Sequence, residues 1–337
     1  MVKRVYRDEL PGQGEFKEII ESKSKEFNDS KGKVRTAMYA SDYGSCQRKV
    51  WYQFFSDKFP PERITGKLAR VFANGDDVHF RLSAYLADDR ALEFEREIGV
   101  PRNHLEVHGR CDGMTLHKGQ ATIVEFKSIN KKVVEAIKLE HEGQLMWYLG
   151  MWEAKRLELR KEFGIEENDI VVDVEFLIGH TRTGRDLSSA EKKLLRSNGP
   201  VKGEVIYECK PTQDVFSFPV AFDELKFKEV QEWYRQLKWY VEAGIRPRVR
   251  YLRTKFPCDW FTGKCQYYDI CHGEGANQGD IVILGRKLEG PAVQFEDRGD
   301  GLTAEEVERL MKLKSNPDEI AQEMNEDVAS DEEGDNE

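Results

Sequence analysis

His108-Gly109-Arg110-Cys111-Asp112-Gly113 and Ala121-Thr122-Ile123-Val124-Glu125-Phe126-Lys127-Ser128 are two strand-like runs, with His117-Lys118-Gly119-Gln120 between them. A glycine among polar residues between two β-prone runs is a hairpin signal. With Lys118-Gly119 as a two-residue loop, pairing places Asp112 directly opposite Glu125. Side chains alternate along a strand, so Lys127 shares the face of Glu125. A three-residue loop with a glycine bulge slips the register by one and turns Asp112 away from Glu125. Chemistry that needs both acids therefore predicts the even loop.

At 337 residues the chain can bury one sizeable core, with enough left for a second lobe or long extensions. The start, Met1-Val2-Lys3-Arg4-Val5-Tyr6-Arg7-Asp8, has no apolar signal core, and no apolar run approaches the roughly 18 residues a spanning helix needs. A soluble, cytoplasmic protein without a membrane partner is the expectation. The net charge of −10 is concentrated: residues 315–337 carry ten acids and no Lys or Arg, and the remaining body is neutral. Such an aromatic-free tail reads as a disordered solubilising segment, with competition against DNA for a basic groove as the sharper alternative.

Outward from the hairpin, the spacing of apolar residues predicts helices over 13–28, after Ser41-Asp42, from Asn74-Gly75-Asp76 to Phe94, through 131–162 and over 222–243. Strands are expected around 95–100 and at 170–178. The polar stretch 180–215 reads as an insertion with some helix, and a last helix is expected near 302–313. Strands and helices mixed in this order predict an α/β core with helical elaborations.

Two facing carboxylates suit Mg²⁺ or Mn²⁺, which take oxygen ligands and commonly bind through one or two carboxylates plus water and phosphate. Lys127, two residues past the second acid, can orient a water or neutralise charge on a phosphate. The same residues also fit an ordinary exposed hairpin with a Glu/Lys surface pair.

Six cysteines stand at 46, 111, 209, 258, 265 and 271. Without a secretion signal a disulfide framework is not expected. Cys258, Cys265 and Cys271 lie within fourteen residues, a spacing that suggests metal ligation, and Cys46 makes a fourth thiolate if the chain ends meet. Zinc and iron–sulfur ligation both use such a set. The window 246–255, with Arg248, Arg250 and Arg253, is the most basic in the chain and precedes Trp260, Phe261, Tyr267 and Tyr268. Cations for phosphates beside rings for unstacked bases suit single-stranded DNA. The rings fit equally well as packing around a cysteine cluster.

Gly109-Arg110-Cys111-Asp112-Gly113 and Ile123-Val124-Glu125-Phe126-Lys127-Ser128 resemble the second and third motifs of the PD-(D/E)XK nuclease superfamily, in its RecB-like exonuclease branch. Gly75-Asp76-Asp77-Val78-His79 resembles that branch's helical first motif, and Gln144-Leu145-Met146-Trp147-Tyr148 its Gln-x-x-x-Tyr motif. The proline of the superfamily label is absent. Ser45-Cys46-Gln47-Arg48 with the three later cysteines is similar to the iron–sulfur members, CRISPR-associated and AddB-type. The gap between Cys265 and Cys271 matches theirs, and that between Cys258 and Cys265 is longer.

The resemblance implies a restriction-endonuclease-like α/β fold, a mixed sheet flanked by helices. It implies a nuclease domain over 1–280, an extension over 281–314 and the acidic tail. The implied activity is a Mg²⁺- or Mn²⁺-dependent deoxyribonuclease, an exonuclease acting on single strands or DNA ends in recombination, repair or replication. By the resemblance His79, Asp112, Glu125 and the Phe126 carbonyl would bind the metal, and Lys127 would assist the attacking water. Gln144 and Tyr148, at i and i+4 on one helix face, would position the strand. Cys46, Cys258, Cys265 and Cys271 would hold a 4Fe–4S cluster joining the domain's ends, with Zn²⁺ as the alternative. Residues 281–337 are open to protein partners. The rival readings are a DNA-binding module with a vestigial site and a zinc-containing adaptor.

Overall fold

The computed structural model describes residues 35–59, 66–166, 169, 171, 174, 186–247, 259–260, 263–265 and 267–272. The chain divides into two units, Met1–Gly290 and Pro291–Glu337, and every described residue belongs to the first. The expected helices at 13–28 and 302–313 and the acidic tail lie outside the described residues, as does most of the strand expected at 170–178. Val174, within that stretch, is helical.

The hairpin has the even loop. Strands β2, Arg110–His117, and β3, Gln120–Ile129, pair from His117↔Gln120 back to Gly113↔Val124. Lys118 and Gly119 have φ of 50° and 72°, the doubly positive pattern of the tight turn whose twist matches a hairpin. Gly119 is needed twice over, because a Cβ there would lie 2.2 Å from Nδ2 of Asn198, whose backbone N–H donates to the Gly119 carbonyl at 2.7 Å.

Five strands form the sheet in the order β1-β2-β3-β4-β5, with β1 at Glu95–Gly99, β4 at Lys202–Cys209 and β5 at Val215–Val220. All neighbours are antiparallel except β3 and β4, which run parallel. Within the stretch 180–215, read from the sequence as an insertion, Lys202–Cys209 is a strand of this sheet. Its strand β4 is paired on both sides, and the alternation Gly203, Val205, Tyr207, Cys209 puts four buried residues on one face. Parallel neighbours need a crossover, and the long helix between β3 and β4 belongs to it.

Helix α1 spans Gln47–Phe54, α2 Gly66–Asp88, α3 Leu139–Glu162, α4 Ser189–Leu195, α5 Glu224–Ala243 and α6 Tyr268–His272. Ser41-Asp42 does not cap α1. Asp42 instead accepts the Tyr39 N–H at 2.8 Å and pairs with Arg35, closing a short 3-10 turn at Ala40–Asp42. α2 begins upstream of the expected start, with Gly75 in its interior. It lays Val78 and Leu82 on Val124 and Phe126 of the sheet.

The opposite face of β3 and β4 receives α3, where Leu145 sits so close to Gly203 that a Cβ there would be 2.7 Å from Cδ2. α3 is buried nearly all round, because α5 covers its outer side. The Trp147 and Tyr234 rings meet edge to face at 4.9 Å, and the Tyr234 hydroxyl donates to the Ala40 carbonyl at 2.7 Å. α5 is capped as its sequence dictates, by the Asp223 carboxylate at its start and Gly244, with φ of 69°, at its end. Among the described residues no helix is long and apolar enough to cross a membrane.

Candidate active site

The register of the hairpin, carried one step beyond Gly113↔Val124, sets Asp112 opposite Glu125. There the ladder gives way to side-chain bonding: the Phe126 N–H donates to Asp112 Oδ2 at 2.6 Å, and His79 Nδ1 from α2 lies 3.2 Å from Oδ1. The strand on the other flank is irregular at the same point, with Glu97 at φ 54°. Burial works against a charged His79, but the Asp112 hydrogen bond and negative charge outweigh it and raise its pKa.

Glu125 is 2% exposed. Its Oε1 accepts Lys127 Nζ at 2.6 Å and Gln144 Nε2 at 2.8 Å, whereas Oε2 is buried with no partner among the described residues. Burial is the main force on this carboxyl. It is opposed by Lys127 and reinforced by the Asp112 charge, and the pKa is pushed up to about 7.

Gln144 spends its whole carboxamide inside this network. The oxygen accepts Lys127 Nζ at 3.0 Å, and the nitrogen donates to Glu125 and to the Tyr148 hydroxyl at 2.8 Å each. Tyr148 then donates to the Arg110 carbonyl at 3.3 Å. Gln144 and Tyr148 are 7% and 2% exposed, and Gly109 is packed so tightly that a Cβ would meet Tyr148 Cε1 at 2.7 Å. The helix face they share points into the sheet, where their polar atoms meet Glu125, Lys127 and the Arg110 carbonyl. The Phe126 ring packs on the other face with Val78 and Leu82.

As placed, Lys127 and Gln144 bond one oxygen of Glu125 and the Phe126 N–H one oxygen of Asp112, and among the described residues no three His, Cys, Asp or Glu side chains form a group that could hold a metal ion. Glu125 Oε2 is the observation that fits an ion. A buried carboxylate oxygen without a donor is costly, and hard oxygen donors on facing acids are what Mg²⁺ and Mn²⁺ select.

Three of the four cysteines expected in the cluster are described. Cys46 precedes α1, Cys265 lies before α6, and Cys271 sits in α6 with Arg48 Nη1 3.5 Å from its Sγ. Two segments far apart in the chain meet here: the Tyr52 and Tyr267 rings stack at 5.1 Å. Burial raises the Cys46 thiol pKa, and Cys271 and Cys265 are near enough to add to the shift. The three do not form a ligand group as placed. Cys258 and Arg248, Arg250 and Arg253 lie outside the described residues. Arg246, the first residue of the basic window, is buried, with Nη1 3.3 Å from the Tyr52 hydroxyl. Cys111 and Cys209 are buried on strands away from this corner.

Sequence reasoning missed His141 and Tyr207, which adjoin Lys127. Tyr207 is the register partner of Lys127 across β3 and β4, and its hydroxyl is 2.8 Å from His141 Nδ1. The β-branched and aromatic residues of Val205-Ile206-Tyr207 were the available signal for that strand.

The family model of the PD-(D/E)XK nuclease superfamily matches residues 33–272. The chain belongs to that superfamily, and its five-stranded mixed sheet flanked by helices is the restriction-endonuclease-like fold expected from the motifs. No curated protein matches the chain. Twenty chains of solved structures do, among them one titled "Crystal structure of SSO0001", 17% identical, covering 77% of this chain and 98% of its own, with a TM-score of 0.43.

Proposed function

We propose that the chain is a Mg²⁺- or Mn²⁺-dependent deoxyribonuclease of the RecB-like branch, an exonuclease working on single-stranded DNA or DNA ends. The observation that carries this reading is the buried, unpartnered Oε2 of Glu125 beside Asp112, with Lys127 anchored to the other oxygen. Asp112, Glu125, His79 and the Phe126 carbonyl would hold the ion. When bound, it supplies Lewis-acid polarisation of the phosphate and a more acidic water.

The residues of the chain do the rest. Lys127 is fixed by two acceptors, so its ammonium is already oriented toward a water or a developing negative charge and needs little reorganisation. Gln144 sets the rotamers of Glu125 and Lys127 together, and Tyr148 holds Gln144. The His79 hydrogen bond and the Phe126 N–H hold both oxygens of Asp112.

The four-cysteine cluster belongs to the same reading, as a 4Fe–4S staple with no part in hydrolysis. The shared neighbourhood of Cys46, Cys265 and Cys271 supports it. Iron and sulfide analysis of anaerobically purified protein tests it against zinc. The activity is tested with Mn²⁺ and linear or circular single-stranded DNA. Degradation of linear strands alone is expected; cutting of circles would overturn the exonuclease assignment, and no cleavage of any nucleic acid would overturn the nuclease.

A further inference from the structure

The sheet and α3 bring four polar side chains to one place. Lys127 on β3 and Tyr207 on β4 are register partners, so they stand side by side on the α3 face of the sheet. Gln144 and His141 are three residues apart on α3, so they stand side by side above it. Gln144 bonds Lys127 at 3.0 Å, and His141 Nδ1 lies 2.8 Å from the Tyr207 hydroxyl.

The hydrogen bonds decide which ring nitrogen carries the proton. The Tyr207 hydroxyl accepts the Lys138 backbone N–H at 3.2 Å, and an amide N–H can only donate. The hydroxyl's own proton has no acceptor among the described residues other than the ring nitrogen facing it, His141 Nδ1. A neutral imidazole that accepts at Nδ1 carries its hydrogen on Nε2. That second nitrogen has no partner among the described residues and is not a buried orphan, since the ring is only partly covered. Burial and the nearby charges of Lys127 and Lys138 keep the ring neutral, with a pKa of about 3. The acids of the first turn of α3 have cations of their own, Glu142 at 2.5 Å from Lys226 Nζ and Glu140 at 3.8 Å from Lys138 Nζ.

We propose that His141, fixed as its Nε2–H tautomer by Tyr207, is a substrate-positioning residue that donates a hydrogen bond to a backbone phosphate of the nucleic-acid strand bound beside Lys127. A neutral donor suits a phosphate flanking the reacting one, because it grips without adding charge that would compete with Lys127. This assignment rests on the nuclease reading above.

The test compares wild type with His141→Ala, His141→Gln and Tyr207→Phe in Mn²⁺-dependent cleavage of single-stranded oligonucleotides. Loss of one hydrogen bond to a charged group lowers kcat/KM by about 10- to 100-fold in His141→Ala. Most of the loss should fall on KM, with the thermal shift caused by Mn²⁺ unchanged. His141→Gln, whose amide N–H can replace Nε2–H, restores much of it, and Tyr207→Phe, which frees the tautomer, loses less than His141→Ala. A wild-type kcat/KM in His141→Ala would overturn the proposal, as would a loss that Gln does not relieve or that removes the Mn²⁺ shift. A chain with no cleavage in wild type sinks the nuclease reading and this one together; normal cleavage with an indifferent His141→Ala sinks this one alone.

Discussion

Lys127 and Glu125, two residues apart on one strand, are joined Nζ to Oε1 at 2.6 Å, and Glu125 Oε2 is left buried with no partner among the described residues. A strand's alternation puts both side chains on one face, and the even turn puts Asp112 across from them. On the proposed reading, the arrangement trades stability of the ion-free chain for a site that takes a cation.

The placement of Tyr148 separates positioning from substrate contact. Its hydroxyl touches Gln144 and the Arg110 carbonyl, and its side chain is buried. Tyr148→Phe should lower kcat by about 10- to 100-fold, the range for groups that orient a ligand shell, with KM little changed. A rise in KM at constant kcat would return Tyr148 to the role of a strand contact. Steady-state kinetics on a single-stranded oligonucleotide distinguishes the two.

His141 also makes stability depend on pH. Its folded pKa is depressed to about 3, by burial first and then by Lys127 and Lys138, against an ordinary value of 6.5. The unfolded chain therefore takes up a proton that the folded chain refuses. The contribution is present above about pH 6.5 and is lost as pH falls toward 3. Between pH 7 and pH 5 the loss is about 2 kcal/mol. Denaturant titrations at the two pH values should show a smaller drop in His141→Gln than in wild type.

Gly119 is the residue on which the register depends. Gly119→Ala places a Cβ at positive φ and against the Asn198 side chain, and should cost about 2 kcal/mol. Adding Asn198→Ala removes the collision but not the backbone strain, so the double variant should recover only part. Thermal melts of the three variants measure it, and full recovery would show that the turn itself carries no strain.

Strand β4 should behave as core. Val205, fully buried between β3 and β5, should lose about 1–3 kcal/mol on Val205→Ala. Val133, exposed before α3, should lose under about 0.5 kcal/mol on the same change. Equal effects in denaturant unfolding would restore the insertion reading of 180–215.

The hairpin was legible because turn chemistry and strand alternation are local, and both follow from a few residues around Lys118-Gly119. The superfamily's sheet with flanking helices was legible from the four motifs and their order. Strand β4 was not, since Lys202, Glu204 and Glu208 make it read as polar, and only its pairing on both sides reveals a central position. Glu208 is satisfied by Arg81 of α2 at 2.6 Å, a contact across 127 residues that no local pattern announces. Gln144 and Tyr148 show another limit. Their i, i+4 spacing says they share a face, but not whether that face looks at solvent or at the sheet. His141 was passed over because its partner Tyr207 lay in the misread segment.

The most direct test of the central claim is Asp112→Asn, assayed for Mn²⁺-dependent cleavage of linear single-stranded DNA alongside the thermal shift produced by Mn²⁺. The account predicts that wild type cleaves and is stabilised by Mn²⁺, and that Asp112→Asn, still folded, does neither. Undiminished cleavage in folded Asp112→Asn would contradict it.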